Sequence, residues 1–322
     1  MLESAPGARS ICRPRCRDKA PLRGPTRVLR RRTARREVAG KVSVVIKTFQ
    51  RPLTVNASIA SIRRFYSSVP VIVADDSREP VRFADRSIIV HRMPFDSGVS
   101  RGRNFLVSQV RTTYLLMCDD DHVFTRHTKL ERMIDRLEGG GFDILGCLVL
   151  EQIPEPGEPA RRELRMNDFQ MDLELGAGTL RFVEPNVKDA RRSIRCDLVH
   201  QFFLARTEAI RATGGWDDRL KTADHTDFFL RMKNAGLKVG FTPTVAVMHE
   251  SVESERRSAA YAPYRRDRLP EFRRIWIESH GIERLIGRNG STMDADDFIR
   301  GRKSIGKLGN QVFRPAPARF VD

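Results

Sequence analysis

The chain has 322 residues, 40% of them hydrophobic and 31% charged, and its net charge is +17. Its length suits one large α/β domain with extensions or two modest domains, and its hydrophobic fraction excludes a wholly disordered protein. No apolar run reaches the roughly 20 residues of a membrane-spanning helix. We therefore expect a cytoplasmic protein, either soluble or peripherally attached to the inner face of the membrane.

Positive charge is concentrated in residues 1–40, most densely in the run RVLRRRTARR at 27–36. This segment has proline, glycine and almost no apolar periodicity, which predicts a disordered basic tail. A basic tail can bind polyanions, so a non-catalytic, polyanion-binding protein is one alternative function. We do not expect nucleic acid to be the main partner.

From residue 41 onward, apolar runs rich in β-branched residues alternate with segments of helical periodicity. The predicted elements are a strand at 41–46, a helix at 53–65, strands at 69–77 and 87–91, a helix at 99–110, a strand at 113–118, a helix at 128–141 and a strand at 142–151. This alternation predicts right-handed βαβ crossovers and a mainly parallel sheet. The Pro-rich stretch 151–165 predicts a long surface loop.

Three of these strands end in polar clusters, at 47–51, 75–77 and 119–121. Ligands of parallel sheets bind beyond the carboxyl ends of the strands, so the three clusters predict one binding rim. There is no GxxxxGK[ST] loop and no strand-linked GxGxxG, which disfavours an ATPase or a Rossmann dehydrogenase.

The cluster at 119–121 consists of three consecutive aspartates, Asp119, Asp120 and Asp121. Adjacent carboxylates repel one another and are not desolvated without a counter-charge. Carboxylate oxygens suit Mg²⁺ or Mn²⁺, and such an ion also takes phosphate oxygens from a substrate. The cluster therefore predicts a site for a metal and a diphosphate.

The sequence resembles GT-A fold, family 2 glycosyltransferases. It resembles in particular the catalytic domain of β-1,4-N-acetylgalactosaminyltransferases and their bacterial relatives. The resemblance lies between residues 41 and 250, in the ordered stretches VSVVIKTFQRP, VIVADDS, DSGVSRGRN, YLLMCDDDHVFT, LERMIDRLE, DILG and FFLARTEAIRATGGWDDRLKTADHTDFFLRMKNAGLKVGFTPTVAVMHE. It implies an α/β GT-A domain over 41–250, with a nucleotide-sugar-binding half, 41–150, and an acceptor and catalytic half, 151–250. A helical extension and tail, 251–322, would follow.

The resemblance implies a role for each polar cluster of the first half. Thr48 and Arg51 would contact the base and ribose of the nucleotide, and Asp75 or Asp76 would accept a hydrogen bond from the uracil imide. Arg103 would lie near the uridine or the diphosphate, with Arg101 as the neighbouring candidate. Asp119 would lie on the ribose side, with Asp120 beside it.

The resemblance also implies a metal centre. Asp121 would bind Mn²⁺ or Mg²⁺ directly, and His249, which ends a predicted strand, would be a further ligand. His122 competes for that place, although its position beside the aspartates favours a role in the backbone turn.

In the second half, Trp216 of GGWDD would offer a face on which an acceptor sugar stacks, with Asp217 beside it; a buried aromatic that fixes the loop is the alternative. Asp227, or failing that Asp224, would be the general base that takes a proton from the acceptor hydroxyl. This sequence departs from the family pattern ED-x-D, because His225 stands where an acid is usual. A salt bridge to Arg231 is the structural alternative for Asp227.

Together these features predict an inverting, metal-dependent glycosyltransferase that moves a sugar, we expect a hexosamine, from a UDP-linked donor. The acceptor hydroxyl would belong to a glycan, a lipid-linked saccharide or a small molecule. A sugar nucleotidyltransferase is the second alternative, although such enzymes usually carry a Gly-rich loop after the first strand, and IKTFQRP has no glycine.

Overall fold

Val- and Ile-rich strands build the centre of the first half of the molecule. In a computed structural model, the structure describes residues 37–155, 158–185, 193–250, 252–301 and 308–321. Most of the predicted basic tail lies outside these residues. Residues 37–41 are helical, so the last residues of the segment predicted to be disordered have regular structure, with Val38 buried.

Eleven strands of the described part form one large sheet. They are β1 (Val42–Thr48), β2 (Val71–Asp75), β3 (Ile88–Arg92), β4 (Tyr114–Asp119), β5 (His122–Val123), β6 (Ile144–Glu155), β7 (Glu158–Asp168), β10 (Ile194–Cys196), β11 (Phe203–Arg206), β12 (Val239–His249) and β15 (Val312–Pro315). A smaller sheet contains β8 (Asp172–Gly176), β9 (Thr179–Val183), β13 (Arg284–Ile286) and β14 (Thr292–Asp294).

The large sheet is mixed, whereas the sequence predicted a mainly parallel one. Its path is β10-β12-β6-β11-β4-β1-β2-β3. Strands β4, β1, β2 and β3 are parallel, as βαβ crossovers require. Strand β11 then enters between β4 and β6, antiparallel to both. The parallel prediction therefore holds for β4, β1, β2 and β3 and for the β6–β12 pair, whereas β11 and β10 pair antiparallel with their neighbours.

Helices cover both faces of this sheet. They are α1 (Pro52–Phe65), α2 (Val99–Gln109), α3 (Leu130–Gly140), α4 (Thr207–Ala212), α5 (His225–Asn234), α6 (Glu253–Arg256), α7 (Ala262–Arg266), α8 (Leu269–Ser279) and α9 (Ala295–Ile299), followed by a 3₁₀ turn at Ala318–Phe320.

Alternate residues of each central strand point to opposite faces and so enter two separate cores. Val44 and Ile46 pack on the side of α1 and α3. Val45 packs on the opposite side, together with Leu106 of α2 and Phe228 of α5. The two cores fix β1 firmly, and its carboxyl end carries the first polar cluster.

The Pro-rich stretch 151–165 was predicted to be a long surface loop, and this prediction is wrong. Residues 151–155 belong to β6 and residues 158–165 to β7, and the two strands pair antiparallel. Pro154 and Pro159 lie near the ends of these strands that face each other in the chain, where a missing N–H is tolerated. Residues 165–168 of β7 also pair with β15 on the other side of the strand. The proline content therefore misled the prediction, because both flanking segments form strands.

The region after residue 250 was predicted to be a helical extension and tail. It does contain α6 to α9, but it also contributes β13 and β14 to the small sheet and β15 to the large one. These pairings join the carboxyl-terminal region to β7 and β9 of the predicted acceptor half.

Candidate active site

The three polar strand ends lie side by side, as predicted. Thr48 is in register with Asp75 across the β1–β2 pair, and Lys47 is in register with Asp119 across the β1–β4 pair. A cavity of about 570 Å³ opens at this edge of the sheet. Its lining includes all three carboxylates of the aspartate cluster together with Asp76, Arg103 and Asp224.

The two aspartates that end β2 have different positions. Asp75 accepts hydrogen bonds from the backbone N–H groups of Ser77 (2.9 Å) and Val81 (2.7 Å), so both its oxygens hold the following loop. Asp76 lines the cavity and forms an ion pair with Lys47. Burial lowers the pKa of Lys47, and the charge of Asp76 opposes that effect.

Gly98, at the start of α2, brings a backbone N–H to Asp76. That N–H donates to Oδ2 of Asp76 at 2.9 Å. The glycine has φ of 94°, which disfavours other residues, and an added Cβ would lie 2.5 Å from Cγ of Lys221. Position 98 of the DSG stretch therefore requires glycine, because its backbone has a positive φ and Lys221 leaves no room for a side chain.

Protein cations already face each of the three consecutive carboxylates. Arg103 donates to Asp119 at 2.6 Å. Arg51 pairs with Asp120 and also donates to Asp121 at 3.0 Å. Thr48 adds a hydroxyl that donates to Asp120 at 2.7 Å. Neighbouring side chains therefore offset much of the repulsion within the cluster.

Burial and neighbouring charges shift the pKa values of two aspartates in this cluster in opposite directions. Burial raises the pKa of Asp120 to about 6, against the opposing charge of Arg51. Burial also disfavours the charged form of Asp121, but the hydrogen bond and charge of His249, with Arg51, outweigh it and hold the pKa of Asp121 well below its usual range. Asp121 therefore stays ionised at neutral pH.

Arg103 joins the two halves of the site. It is 4% exposed, and its guanidinium contacts Asp119 at the end of β4 and Asp224 immediately before α5. The alternative of an exposed helix arginine therefore applies to Arg101, which is exposed on the same helix, and not to Arg103.

The residues present fit a divalent cation. Ligand atoms of Asp119, Asp121 and His122 lie within 4.8 Å of one another. His249 places Nε2 3.3 Å from Oδ2 of Asp121, a separation that suits two ligands of one ion. Its Nδ1 lies 3.5 Å from Oε1 of Glu151, the arrangement of a carboxylate that orients a metal-binding histidine.

The two histidines differ in what their nitrogens do. His122 is buried, and its Nδ1 accepts a hydrogen bond from the backbone N–H of Asp119 at 3.0 Å, in agreement with the predicted turn role. His249 is more open. Burial alone would lower its pKa, but hydrogen bonds and charges from Asp121 and Glu151 raise it to about 10.

Asp227 does not reach the cavity. It is 1% exposed, and its Oδ1 lies 2.9 Å from Nε2 of His280, the residue that follows α8. The alternative salt bridge to Arg231 is not formed, because Arg231 donates to the carbonyl of Gly215. Asp224, one turn earlier, lines the cavity instead.

Trp216 and Asp217 also lie away from the cavity. The indole of Trp216 is 2% exposed and stacks on Phe228, with ring centroids 4.1 Å apart and planes at 11°. No face is therefore left for a sugar ring. Asp217 pairs with Arg219. The buried-aromatic alternative accounts for GGWDD.

A carboxyl-terminal segment, residues 252–266, covers part of the cavity. Tyr261 lies under the guanidinium of Arg51, 4.8 Å from ring centroid to guanidinium carbon, and Tyr264 packs edge-on against Phe49 at 5.2 Å. Glu255 anchors the segment, because its carboxylate accepts hydrogen bonds from the backbone of Leu53 and Thr54 at the start of α1.

Sequence reasoning left several cavity residues without a role. Lys47 belongs to the polar cluster at 47–51, so its position at the end of β1 could have identified it as a cavity residue. Glu151, Asn167 and Gln201 gave no such signal, because each stands alone in a segment with no motif around it. Tyr261 lies in a region whose chain path the sequence did not define.

The mixed sheet, the aspartate cluster at its edge and the acidic residue before α5 define a GT-A type glycosyltransferase fold. The chain belongs to glycosyl transferase family 2, whose sequence model matches residues 43–211, more than half of the chain. The expected enzyme class is thereby confirmed at the level of the family, and the sugar nucleotidyltransferase alternative loses its support.

Curated relatives agree with this assignment. The chain is 39% identical over 229 residues to β-1,4 N-acetylgalactosaminyltransferase 1 of Rattus norvegicus, covering 68% of this chain and 40% of that protein. It is 37% identical over 240 residues to the Homo sapiens protein of the same name, covering 74% of this chain and 44% of that one. The chain thus spans less than half the length of these relatives.

Among solved structures, GalNAc-T7 with UDP, GalNAc and Mn²⁺ is similar in fold, with a TM-score of 0.53 and 13% identity. The similarity covers 74% of this chain and 48% of that one.

The predicted cytoplasmic location is wrong, because the animal N-acetylgalactosaminyltransferases to which the chain is related are Golgi membrane enzymes. No helix within the described ranges is long and apolar enough to span a bilayer.

Proposed function

We propose that this protein is an inverting, metal-dependent glycosyltransferase that moves an N-acetylhexosamine from a UDP-linked donor to a hydroxyl of a glycan. The observation that supports it best is the Arg103 bridge, which holds the aspartate cluster and Asp224 at one cavity. The relatives named β-1,4 N-acetylgalactosaminyltransferases, and the similar fold solved with UDP, GalNAc and Mn²⁺, favour this donor class.

The nucleotide would lie along the ends of β1 and β2. Thr48 and Arg51 share Asp120 as a partner, and Asp76 pairs with Lys47, the residue before Thr48. The three side chains would therefore lie close enough to contact a single uridine. Of the two aspartates that end β2, we assign Asp76 to the uracil imide, because Asp75 is occupied by backbone N–H groups. Asp75 then positions the loop.

Asp121 and His249 would hold the metal, with Glu151 orienting the imidazole. When bound, such an ion stabilises the negative charge that develops on the departing diphosphate. Arg51 and Arg103 would share that task, since each already faces the carboxylates where the phosphates would lie.

Asp224 would be the general base. Its carboxylate lines the cavity and is held by Arg103, whereas Asp227 lies behind it against His280. The acceptor hydroxyl would give its proton to Asp224 while its oxygen forms a bond to the anomeric carbon. The bond from that carbon to the diphosphate breaks on the opposite face, so UDP leaves and the anomeric configuration inverts.

The test is a donor panel of UDP-N-acetylgalactosamine, UDP-N-acetylglucosamine, UDP-glucose and GDP-mannose, with release of the nucleoside diphosphate as the measurement. We expect release from a UDP-N-acetylhexosamine with Mn²⁺ and none in EDTA. Asp224→Asn should abolish transfer to sugars, and the isosteric Asp227→Asn should retain it. Release from no donor would contradict the proposed function, and activity of Asp224→Asn would contradict the assignment of the base.

A further inference from the structure

One wall of the cavity carries buried amide groups whose hydrogen-bonding capacity is unused. Gln201 is 8% exposed and lines the cavity, and within the described ranges neither its Nε2 nor its Oε1 has a hydrogen-bond partner. Asn167, 4% exposed, donates from Nδ2 to Glu151 at 2.8 Å, while its Oδ1 also lacks a partner there. Buried amide groups without partners destabilise the free protein, so a ligand is expected to complete their hydrogen bonds.

The rest of this wall is uncharged and aromatic. Phe169 lies against His200 and His225, with ring centroids 5.1 and 5.2 Å apart. Burial lowers the pKa of His200 to about 3, and burial lowers that of His225 as well, so both imidazoles are neutral near pH 7. Their Nε2 atoms bond to the carbonyl oxygens of Asn167 and Val199.

This wall lies where an acceptor must bind for the chemistry proposed above. His225 adjoins the base Asp224 in the chain and lines the same cavity. On the other side, Asn167 contacts Glu151, which in turn faces the metal ligand His249. A molecule on this wall would therefore lie between the base and the metal.

We propose that Gln201, Asn167 and Phe169 form the subsite for an uncharged pyranose ring of the acceptor. This inference rests on the proposed function and assigns it the residues that bind the acceptor. A carboxamide offers one donor and one acceptor side by side, and two adjacent sugar hydroxyls match that pair. Phe169 supplies an aromatic face for the C–H face of the ring, the role that Trp216 cannot fill because it is buried.

The side chains that form this wall, Gln201, Asn167, Phe169, His200 and His225, are uncharged near pH 7 and offer no ion-pair partner to an acidic sugar. We therefore expect aryl β-galactoside, β-glucoside or β-N-acetylglucosaminide to be an acceptor, and aryl β-glucuronide to be rejected.

The experiment measures two rates with UDP-N-acetylgalactosamine and Mn²⁺: UDP release without acceptor, and transfer to each aryl pyranoside. Gln201→Leu removes the amide at nearly constant size, and Phe169→Leu removes the aromatic face. Each should raise the acceptor KM about tenfold or more, as expected for two lost hydrogen bonds or a lost ring contact. UDP release without acceptor should stay at the wild-type rate, which also shows that the variants are folded.

Gln152→Leu is the matched control, because it makes the same change at an exposed position of β6, next to Glu151. It should leave the acceptor KM unchanged. The proposal is overturned if UDP is released but no neutral pyranoside is glycosylated, if the glucuronide is preferred, or if Gln201→Leu and Phe169→Leu both keep the wild-type acceptor KM. Failure of UDP release itself would instead contradict the proposed function.

Discussion

The guanidinium of Arg103 contacts the carboxylate of Asp224, although 121 positions separate the two residues in the chain. The contact crosses from α2, in the proposed nucleotide-binding half, to the loop before α5, in the half that holds the proposed base. In the proposed mechanism it would connect donor binding with proton removal.

Replacing Arg103 should affect both activity and stability. Arg103→Ala leaves the carboxylates of Asp119 and Asp224 without their buried cation, which we expect to lower the free energy of unfolding by about 3–5 kcal/mol. Arg103→Lys restores one charge but cannot contact both carboxylates, so transfer should stay at least about 100-fold below wild type. Urea unfolding and kcat/KM are the measurements.

Arg101→Ala is the control for that change, since Arg101 lies exposed on the same helix. It should match the wild type in both measurements. A fully active Arg103→Lys enzyme would mean that the bridge between the two halves is dispensable.

Helix α1 depends on a residue about 200 positions away for its amino-terminal cap. Arg51, at the N-cap position, makes no capping bond, and Glu255 accepts the N–H groups of Leu53 and Thr54 at 2.7 and 2.9 Å instead. Glu255→Ala should lower the free energy of unfolding by about 1–2 kcal/mol and raise the donor KM, because the segment with Tyr261 loses its anchor.

The nearby Glu253→Ala tests whether this effect belongs to the cap. Glu253 is exposed, and within the described ranges its ion pairs are with Arg256 of its own helix and with Arg257, the next residue. Its removal should change neither denaturation midpoint nor donor KM. Equal effects from the two variants would show that Glu255 has no special role.

Trp216 distinguishes a core residue from a sugar platform. Trp216→Phe keeps a ring against Phe228 and removes an indole N–H that has no partner among the described residues. We expect the acceptor KM to remain within about twofold of wild type, whereas Trp216→Ala should lower the free energy of unfolding by about 3–5 kcal/mol. An increase in acceptor KM for a stable Trp216→Phe enzyme would restore the predicted stacking role.

The neutral imidazole of His200 makes stability depend on pH. Because burial lowers its pKa from 6.5 to about 3, the unfolded chain binds a proton more readily than the folded one. The free energy of unfolding that depends on a neutral His200 is fully present above pH 6.5 and is lost progressively as the pH falls toward 3. Between pH 7.5 and 5.5 that loss is up to about 1.4 kcal/mol, since the ring keeps some contact with solvent.

His200→Gln should therefore lose less stability than wild type between those two pH values, as urea unfolding would measure. His91→Gln, at the edge strand β3, makes the same change outside the cavity and should retain the wild-type pH dependence. Identical losses in all three proteins would contradict a neutral His200.

Several features of the fold and site follow from local sequence because they depend on local physics. Alternating apolar segments specified β1, β2 and β4, and their parallel order placed Thr48, Asp76 and Asp121 at one edge. The repulsion within the aspartate cluster indicated that counter-charges lie nearby, but only the structure shows that Arg51 and Arg103 supply them.

Other features depend on contacts between distant segments, which periodicity does not encode. The spacing of Asp224 and Asp227 predicts a shared helical face, yet Asp224 precedes α5 and only Asp227 lies within it, facing His280. Trp216 follows two glycines, as a surface residue often does, but Phe228 buries it. Gln201 lacks any motif and reaches the cavity only through the path of the chain between β10 and β11.

Calorimetric titration of UDP in the presence and absence of Mn²⁺ tests the central claim most directly, namely that Asp121 and His249 hold a cation that binds the diphosphate. We predict heat with Mn²⁺ and none in EDTA for the wild type, loss of the Mn²⁺-dependent heat in a folded Asp121→Ala variant, and its retention in Asp135→Ala, an exposed aspartate of α3. Equal heat with Mn²⁺ and EDTA, or wild-type binding by Asp121→Ala, would contradict the account.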